Sequence, residues 1–323
     1  MKAATHPLRG YFYIASAAFL WGVSATLGRA AFTGRLLPGA SSLSSSLTKI
    51  DPLILSQSRA TLSLAVLLPV LLVRRGASAL RVPGRDLLQL FLLGILGVAV
   101  SNYFYYLAIQ RTNVATAIIL QYTAPVWVLL YTAPRGAQRP SWRRIAAVGL
   151  AVVGCALAVG FVGSGGFRTD KIGVTAALVA AFSFAFYNVG GHKVLARYER
   201  WKVLVWVLIG TSIFWLFVNP PWKIVAAHYD RRQWEFMLVF SLVSVLGPFS
   251  CYFAGLQYLE PTRAIVASCL EPVFSIVIAA LVLGELVRPT QTVGIVLVLV
   301  AIVLIQLPER LARSEELVVE PIE

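Results

Sequence analysis

Charge is scarce in this chain. Only 13% of its 323 residues are charged, where a soluble domain carries roughly a quarter, and 58% are hydrophobic. That balance, with a mean hydropathy of +0.77, excludes a soluble globular fold. Cysteine is scarce too. Cys155, Cys251 and Cys269 all fall inside apolar blocks, an odd count without metal-ligand spacing, so neither a disulfide framework nor a metal site is expected. There is no HExxH motif, Cys/His cluster, Ser/His/Asp constellation or soluble catalytic domain. The expectation is therefore a protein that is not an enzyme and needs no cofactor. The opening "MKAATHPLRG" leads straight into apolar sequence with no cleavage-site pattern, so no signal peptide is expected.

What is present is apolar sequence in long blocks, many near the roughly 20 residues that carry a helix across ~30 Å of hydrocarbon. Ten spans are predicted, near 11–32, 52–73, 87–108, 112–133, 142–162, 172–195, 202–218, 236–258, 262–283 and 290–307. Links as tight as "QRTN" (110–113) and "LEPT" (259–262) make their flanking helices antiparallel neighbours. The net charge of +14 sits in short loops, with no aromatic-interleaved basic domain, so its role is topogenic and nucleic acid is not an expected partner. With the N-terminus inside, 17 Lys and Arg residues fall on the cytoplasmic side and 10 outside, with Arg59 within a span. Both termini are accordingly expected in the cytoplasm. The Gly-, Pro- and Ser-rich stretch 34–51 is an extracytoplasmic loop, and 308–323 a cytoplasmic tail.

The chain also repeats itself. "YFYYLAIQRTNVATAIILQYTAPVWVLL" (103–130) aligns without gaps on "SCYFAGLQYLEPTRAIVASCLEPVFSIV" (250–277), at a constant offset of 147. Tyr105 falls on Tyr252, Gln110 on Gln257, Ala117 and Ile118 on Ala264 and Ile265, and Pro125 and Val126 on Pro272 and Val273. Further on, Val148 and Gly149 match Val293 and Gly294. Five spans per half is an odd number, so the second half enters the membrane in the opposite direction. The predicted fold is an all-α polytopic membrane protein of ten transmembrane helices, built as two inverted five-helix repeats over 11–162 and 172–307. Such symmetry is the mark of secondary transporters, which bind substrate near the midplane at the repeat interface.

Several stretches resemble the EamA-type exporters of the drug/metabolite transporter superfamily. They are "FLWGVSATLGR" (19–29), "SRATLSLAVLLP" (58–69), the Pro125 and Pro272 cores and, above all, "LEPVFSIVIAALVLGELVRPTQTVGIVLVLVAIVLI" (270–305). The resemblance covers nearly the whole chain. It implies a ten-helix carrier whose cavity is lined by spans one, three, four, six, eight and nine, with spans five and ten peripheral. It also implies export of small metabolites, amino acids or drugs, often against protons. Two departures stand out: "YTAPRGAQRPSW" (131–142) replaces the family's "LGE"-like ending in the first half, and the 34–51 connection is long.

Ionisable groups inside hydrocarbon cost about 2.5–3.5 kcal/mol on insertion scales and face a bundle interior or a cavity. Glu271 lies ~15 Å into span nine at helical rise, beside a helix-breaking proline. It is the candidate for binding substrate and for coupling to protons. Only the second half carries it, because Ala124 stands at the matching position. Arg59 is the candidate counter-ion at a similar depth, or else snorkels to the headgroups. Trp21 and Ser24 on span one, Asn102 and Tyr105 on span three, Gln121 on span four, Tyr187 and Asn188 on span six and Tyr252 on span eight complete the expected substrate-binding set. Tyr106, Tyr122 and His192 are further polar groups on those spans, and Glu285 closes span nine at its outer end.

The expected function is export of small amphipathic metabolites across a bacterial inner membrane by alternating access. Amino acids, aromatic ones included, are the first candidates, followed by drugs. The partners are then a small-molecule substrate and the lipid bilayer, with the chain acting as a monomer or homodimer. The alternatives are an antiporter for phosphorylated or nucleotide-linked sugars, which would want several cavity cations, and a non-transporting membrane sensor.

Overall fold

The computed structural model describes residues 7–33, 50–112, 114–135, 141–159, 170–283 and 286–307, and among them every regular element is helical. Most of the 34–51 connection, Glu285 and the tail from 308 lie outside the described residues. The first half runs α1 (Pro7–Thr33), α2 (Pro52–Arg75), α3 (Gly84–Leu92), α4 (Val100–Arg111), α5 (Val114–Gln121), α6 (Ala124–Thr132) and α7 (Trp142–Ala158). The second runs α8 (Lys171–Leu195), α9 (Arg200–Val218), the short α10 (Pro221–Ala226), α11 (Arg231–Ser241), α12 (Gly247–Leu256), α13 (Pro261–Ser268), α14 (Leu270–Leu283) and α15 (Pro289–Gln306).

Among the described residues, seven stretches are long and apolar enough to cross a membrane. They are Leu53–Arg75, Gly84–Arg111, Lys171–Leu195, Arg200–Val218, Arg231–Leu256, Pro261–Leu281 and Pro289–Gln306. The 27-residue α1, the shorter apolar run Thr116–Thr132 and the 17-residue α7 stand at the other three positions where the sequence predicts spans. The outward surface of these helices is apolar, with Val73 87% and Leu281 81% exposed, as a lipid-facing wall requires.

Helix ends are set by polar residues. The Asp51 carboxylate accepts from the amides of Leu53 and Ile54 at 2.7 and 3.2 Å, and Asp170 accepts from Gly173 at 2.9 Å. Asp230 and Gln233 form a capping box at the start of α11. At the end of the bundle where α2, α6 and α8 finish, charged side chains tie separate segments together. Arg197 bonds Asp86 at 2.7 Å, Tyr198 also donates to Asp86, Arg75 pairs with Glu199, and Arg144 meets Glu260 at 3.4 Å.

Two long helices pass through π-helical turns, at Leu93–Ala99 and Leu242–Leu246, and two others break, between α5 and α6 and between α13 and α14. The positions correspond. Ala99 and Leu246, the ends of the π segments, are 147 residues apart, as are Gln121 and Ser268, the last residues of α5 and α13. Pro125 and Pro272 each sit in the first turn of the helix that follows its break, where a missing amide hydrogen costs least. The offset found in the sequence therefore reappears as matched irregularities of the backbone.

Packing is interlocked between the halves. α8 lies against α4, α5, α6 and the π segment 93–99 of the first half, while α1 lies against α12, α13, α14 and the π segment 242–246 of the second. α2 packs on α9, and α7 on α15. The α7–α15 contact depends on missing side chains: a Cβ on Gly294 would lie 2.3 Å from the Ala158 nitrogen and 2.6 Å from the Gly154 carbonyl oxygen. Gly149, by contrast, has nothing within 4 Å of its Cβ position. The Val-Gly match between 148–149 and 293–294 is thus a likeness of letters, not of surroundings.

Candidate functional site

Arg59 enters the bundle from the first third of α2 and finds neutral partners. Its Nε donates to the Ser244 hydroxyl at 2.8 Å, one terminal nitrogen to the Ser244 carbonyl at 3.2 Å, and the other to the Tyr106 hydroxyl at 3.1 Å. The guanidinium also lies 5.5 Å from the centroid of the Phe240 ring. The backbone explains why Ser244 is available. In an α-helix its carbonyl would be met by the amide of residue 248, which is Pro248 and has none. Arg59 supplies a donor to that carbonyl.

Glu271 stands in the first turn of α14, immediately after the break at Cys269. The unsatisfied amides of a helix N-terminus favour a negative charge there. The Tyr122 hydroxyl, just beyond the end of α5, is its hydrogen-bonding neighbour. Arg59 and Glu271 make no direct ion pair among the described residues. Tyr105 lies within electrostatic reach of both charges and 5.8 Å, centroid to centroid, from Tyr106. Arg59, Tyr105, Tyr106, Tyr122 and Glu271 all keep part of their surface accessible, although they come from four different helical regions. They form a half-open constellation holding a cation, an anion and three phenols.

A second group of predicted residues assembles elsewhere and is closed. Tyr187, Asn188 and Tyr252 have no exposed surface, and the Asn188 amide donates to the Tyr252 hydroxyl. Trp21 packs on Phe249 and Tyr252 at 5.6 and 5.5 Å, and Tyr187 packs on Phe249 and Phe253 at 5.4 and 5.2 Å. These rings glue α1, α8 and α12 together.

The remaining predicted residues divide similarly. Ser24 is buried and donates to the Trp21 carbonyl of its own helix at 2.9 Å. Asn102 spends its amide on the Val98 carbonyl at 2.9 Å but remains partly exposed, as does Gln121 beside Tyr122. His192 meets the Leu256 carbonyl at 3.0 Å through Nδ1, a helix-to-helix tie. Arg59, read from the sequence as either a counter-ion to Glu271 or a side chain snorkelling to the headgroups, bonds Ser244 and Tyr106. Ser244 and Phe240 were not legible as site residues, although Pro248 four positions after Ser244 is a sequence signal for an unmet carbonyl.

A constellation of fixed charges and phenols between apolar helices can bind and release a polar solute. Comparison with known proteins agrees with that chemistry. A family model described as the EamA-like transporter family matches residues 8–160 and again 171–307. The inner membrane transporter YicL of Salmonella typhimurium is 25% identical over 229 residues, covering 70% of this chain and 75% of that protein. A transporter of Archaeoglobus fulgidus is 26% identical over 248 residues, covering 74% and 82%. The threonine/homoserine exporter RhtA of Escherichia coli K12 is 27% identical over 198 residues, 60% of this chain and 63% of its own. A solved crystal structure covers 94% of this chain and 97% of its own, with a TM-score of 0.72 at 18% identity, which shows a shared fold alone.

Proposed function

The chain belongs to the EamA-like transporter family and is a multi-pass membrane transporter; on that premise we propose that it exports small amphipathic metabolites, amino acids foremost, by alternating access. The carrier is read as ten transmembrane helices in two inverted repeats, in a bacterial inner membrane with both termini cytoplasmic. The half-open constellation around Arg59 and Glu271 is its substrate site, and Glu271 is the group through which protons couple to transport. The observation that carries the reading is the placement of two unjoined charges deep between helices of an otherwise apolar bundle, on backbone irregularities that recur at one offset. Charges are retained at such depth where they serve a solute pathway. The exporter named for threonine and homoserine supports amino acids as the first class to test. A phosphorylated-sugar antiporter is disfavoured, since Arg59 is the one cation placed in the constellation among the described residues.

The test is reconstitution into liposomes with a panel of labelled amino acids, including aromatic ones, with and without a pH gradient. Flux above that of empty vesicles is expected for at least one of them, and flux equal to empty vesicles across the panel removes the substrate assignment. Glu271→Gln is expected to abolish the dependence of flux on the gradient. An unchanged dependence in that variant removes Glu271 as the proton site.

A further inference from the structure

We propose that a hollow at the start of α1 holds the headgroup of an anionic phospholipid. Arg9 and Arg200 take its phosphate, and Leu8 and Phe12 lie along its acyl chains.

The hollow has a volume of about 370 Å³ and is lined by Leu8, Arg9, Phe12, Tyr13 and Tyr258. Clefts that bind small ligands span about 300–1,000 Å³. It lies where three helix ends meet: α1 begins at Pro7, α9 begins at Arg200, and α12 ends at Leu256. Glycines let α1 and α12 close up beneath it. A Cβ on Gly10 would lie 2.6 Å from Leu259 Cγ and 2.9 Å from Tyr258 Cβ, and one on Gly255 would lie 2.5 Å from Ile14 Cδ1. The Tyr13 and Tyr258 rings stack with centroids 6.2 Å apart. Arg200 stands over them, 6.0 Å from the Tyr13 ring and 5.0 Å from that of Trp201.

Charge decides what fits. The carboxylates nearest in sequence to Arg200 and Tyr258 are already taken. Glu199 pairs with Arg75, and Glu260 meets Arg144 at 3.4 Å and Arg263 at 4.0 Å. Arg9 and Arg200 have no carboxylate partner among the described residues. A guanidinium resting on ring faces keeps its N–H edge free, and that edge matches two phosphate oxygens at once.

The rest of the rim is apolar. Leu8 and Phe12 are 78% and 70% exposed. They are four residues apart, as are Arg9 and Tyr13, so an apolar row runs beside a polar one along the first turns of α1. A small soluble anion would use the arginines and leave the apolar row uncovered. A phospholipid answers both, and basic pockets between helices flanked by interfacial aromatic rings suit its headgroup.

The experiment uses the purified full-length chain, stripped of lipid in a neutral detergent, and reads apparent affinity from thermal stabilisation. Phosphatidylglycerol is compared with phosphatidylcholine of the same acyl chains and with inorganic phosphate. Phosphatidylglycerol is expected to bind about tenfold or more tightly than either. Arg9→Gln combined with Arg200→Gln should abolish that preference. Phe12→Ser should weaken both lipids and leave inorganic phosphate unchanged. Arg85→Gln, which removes an exposed arginine of the same end of the bundle outside the hollow, should keep the preference. Equal binding of the two lipids overturns the proposal, and inorganic phosphate binding as tightly as phosphatidylglycerol removes the lipid from it. A loss in Arg85→Gln as large as in the paired variant reduces the effect to diffuse surface charge and also overturns it. The comparison of ligands on the unaltered chain decides the matter even where a variant does not fold. None of these readouts involves flux, so their outcome is independent of the substrate assignment.

Discussion

Tyr105 and Tyr252 occupy the same register in the two halves, yet they live in different worlds. Tyr252 has no exposed surface, is hydrogen-bonded by Asn188 and sits among Trp21, Tyr187 and Phe253. Tyr105 is partly exposed and stands beside Tyr106, within reach of Glu271 and Arg59. One register position is thus fully packed in one half and partly exposed beside charged groups in the other. The backbone keeps the likeness, through π turns and helix breaks at matching places, while the side chains divide the work.

Four substitutions break or sharpen that contrast, in decreasing order of expected effect. Arg59→Gln should cut amino-acid flux most, by about 10- to 100-fold if the lost charge-assisted hydrogen bonds are worth the usual 1.5–3 kcal/mol. Flux within twofold of the unaltered chain would show that the half-open region does not carry the ligand. Tyr252→Phe leaves the buried Asn188 amide without its acceptor and should cost about 1–3 kcal/mol of stability. Thermal unfolding in detergent checks the loss, and the order of preference among substrates should not change. Tyr105→Phe should show the mirror image, a severalfold change in apparent affinity from about 1 kcal/mol of lost hydrogen bonding, with an unfolding temperature close to that of the parent. If Tyr105→Phe destabilises and Tyr252→Phe alters selectivity, the contrast between the two regions fails. Ser244→Ala should act least, by about 0.5–1.5 kcal/mol, because the Ser244 carbonyl still holds Arg59 after the hydroxyl is gone. A small rise in the half-saturating substrate concentration is the readout.

Much of this fold could be read before any coordinates. Hydropathy located the apolar stretches, and the backbone irregularities fall at places related by the sequence offset of 147. The π turns themselves were hidden, because a single inserted hydrogen-bond register leaves the apolar pattern intact. The candidate site was legible in its members and not in its grouping. Depth along a helix placed Arg59 and Glu271 at similar levels but says nothing about rotation, so it left open whether Arg59 meets Glu271 or the headgroups, and Ser244 and Tyr106 as its partners could not be read. The same blindness put Trp21, Tyr187, Asn188 and Tyr252 in one set with Tyr105. An aromatic ring has the same letter whether it seals two helices or lines a space between them, and only packing distinguishes the two.

The bond between Arg59 and the Ser244 carbonyl also bears on how such a chain can change over time. Arg59 donates to the Ser244 carbonyl, whose α-helical partner position is Pro248, so the two residues bear on the same acceptor. Losing the arginine alone strands a carbonyl in the bundle, and losing the proline alone brings back a donor that competes for it. Arg59 and Pro248 are therefore expected to be exchanged together among related chains, as a joint trait inherited from the helix rather than from the substrate.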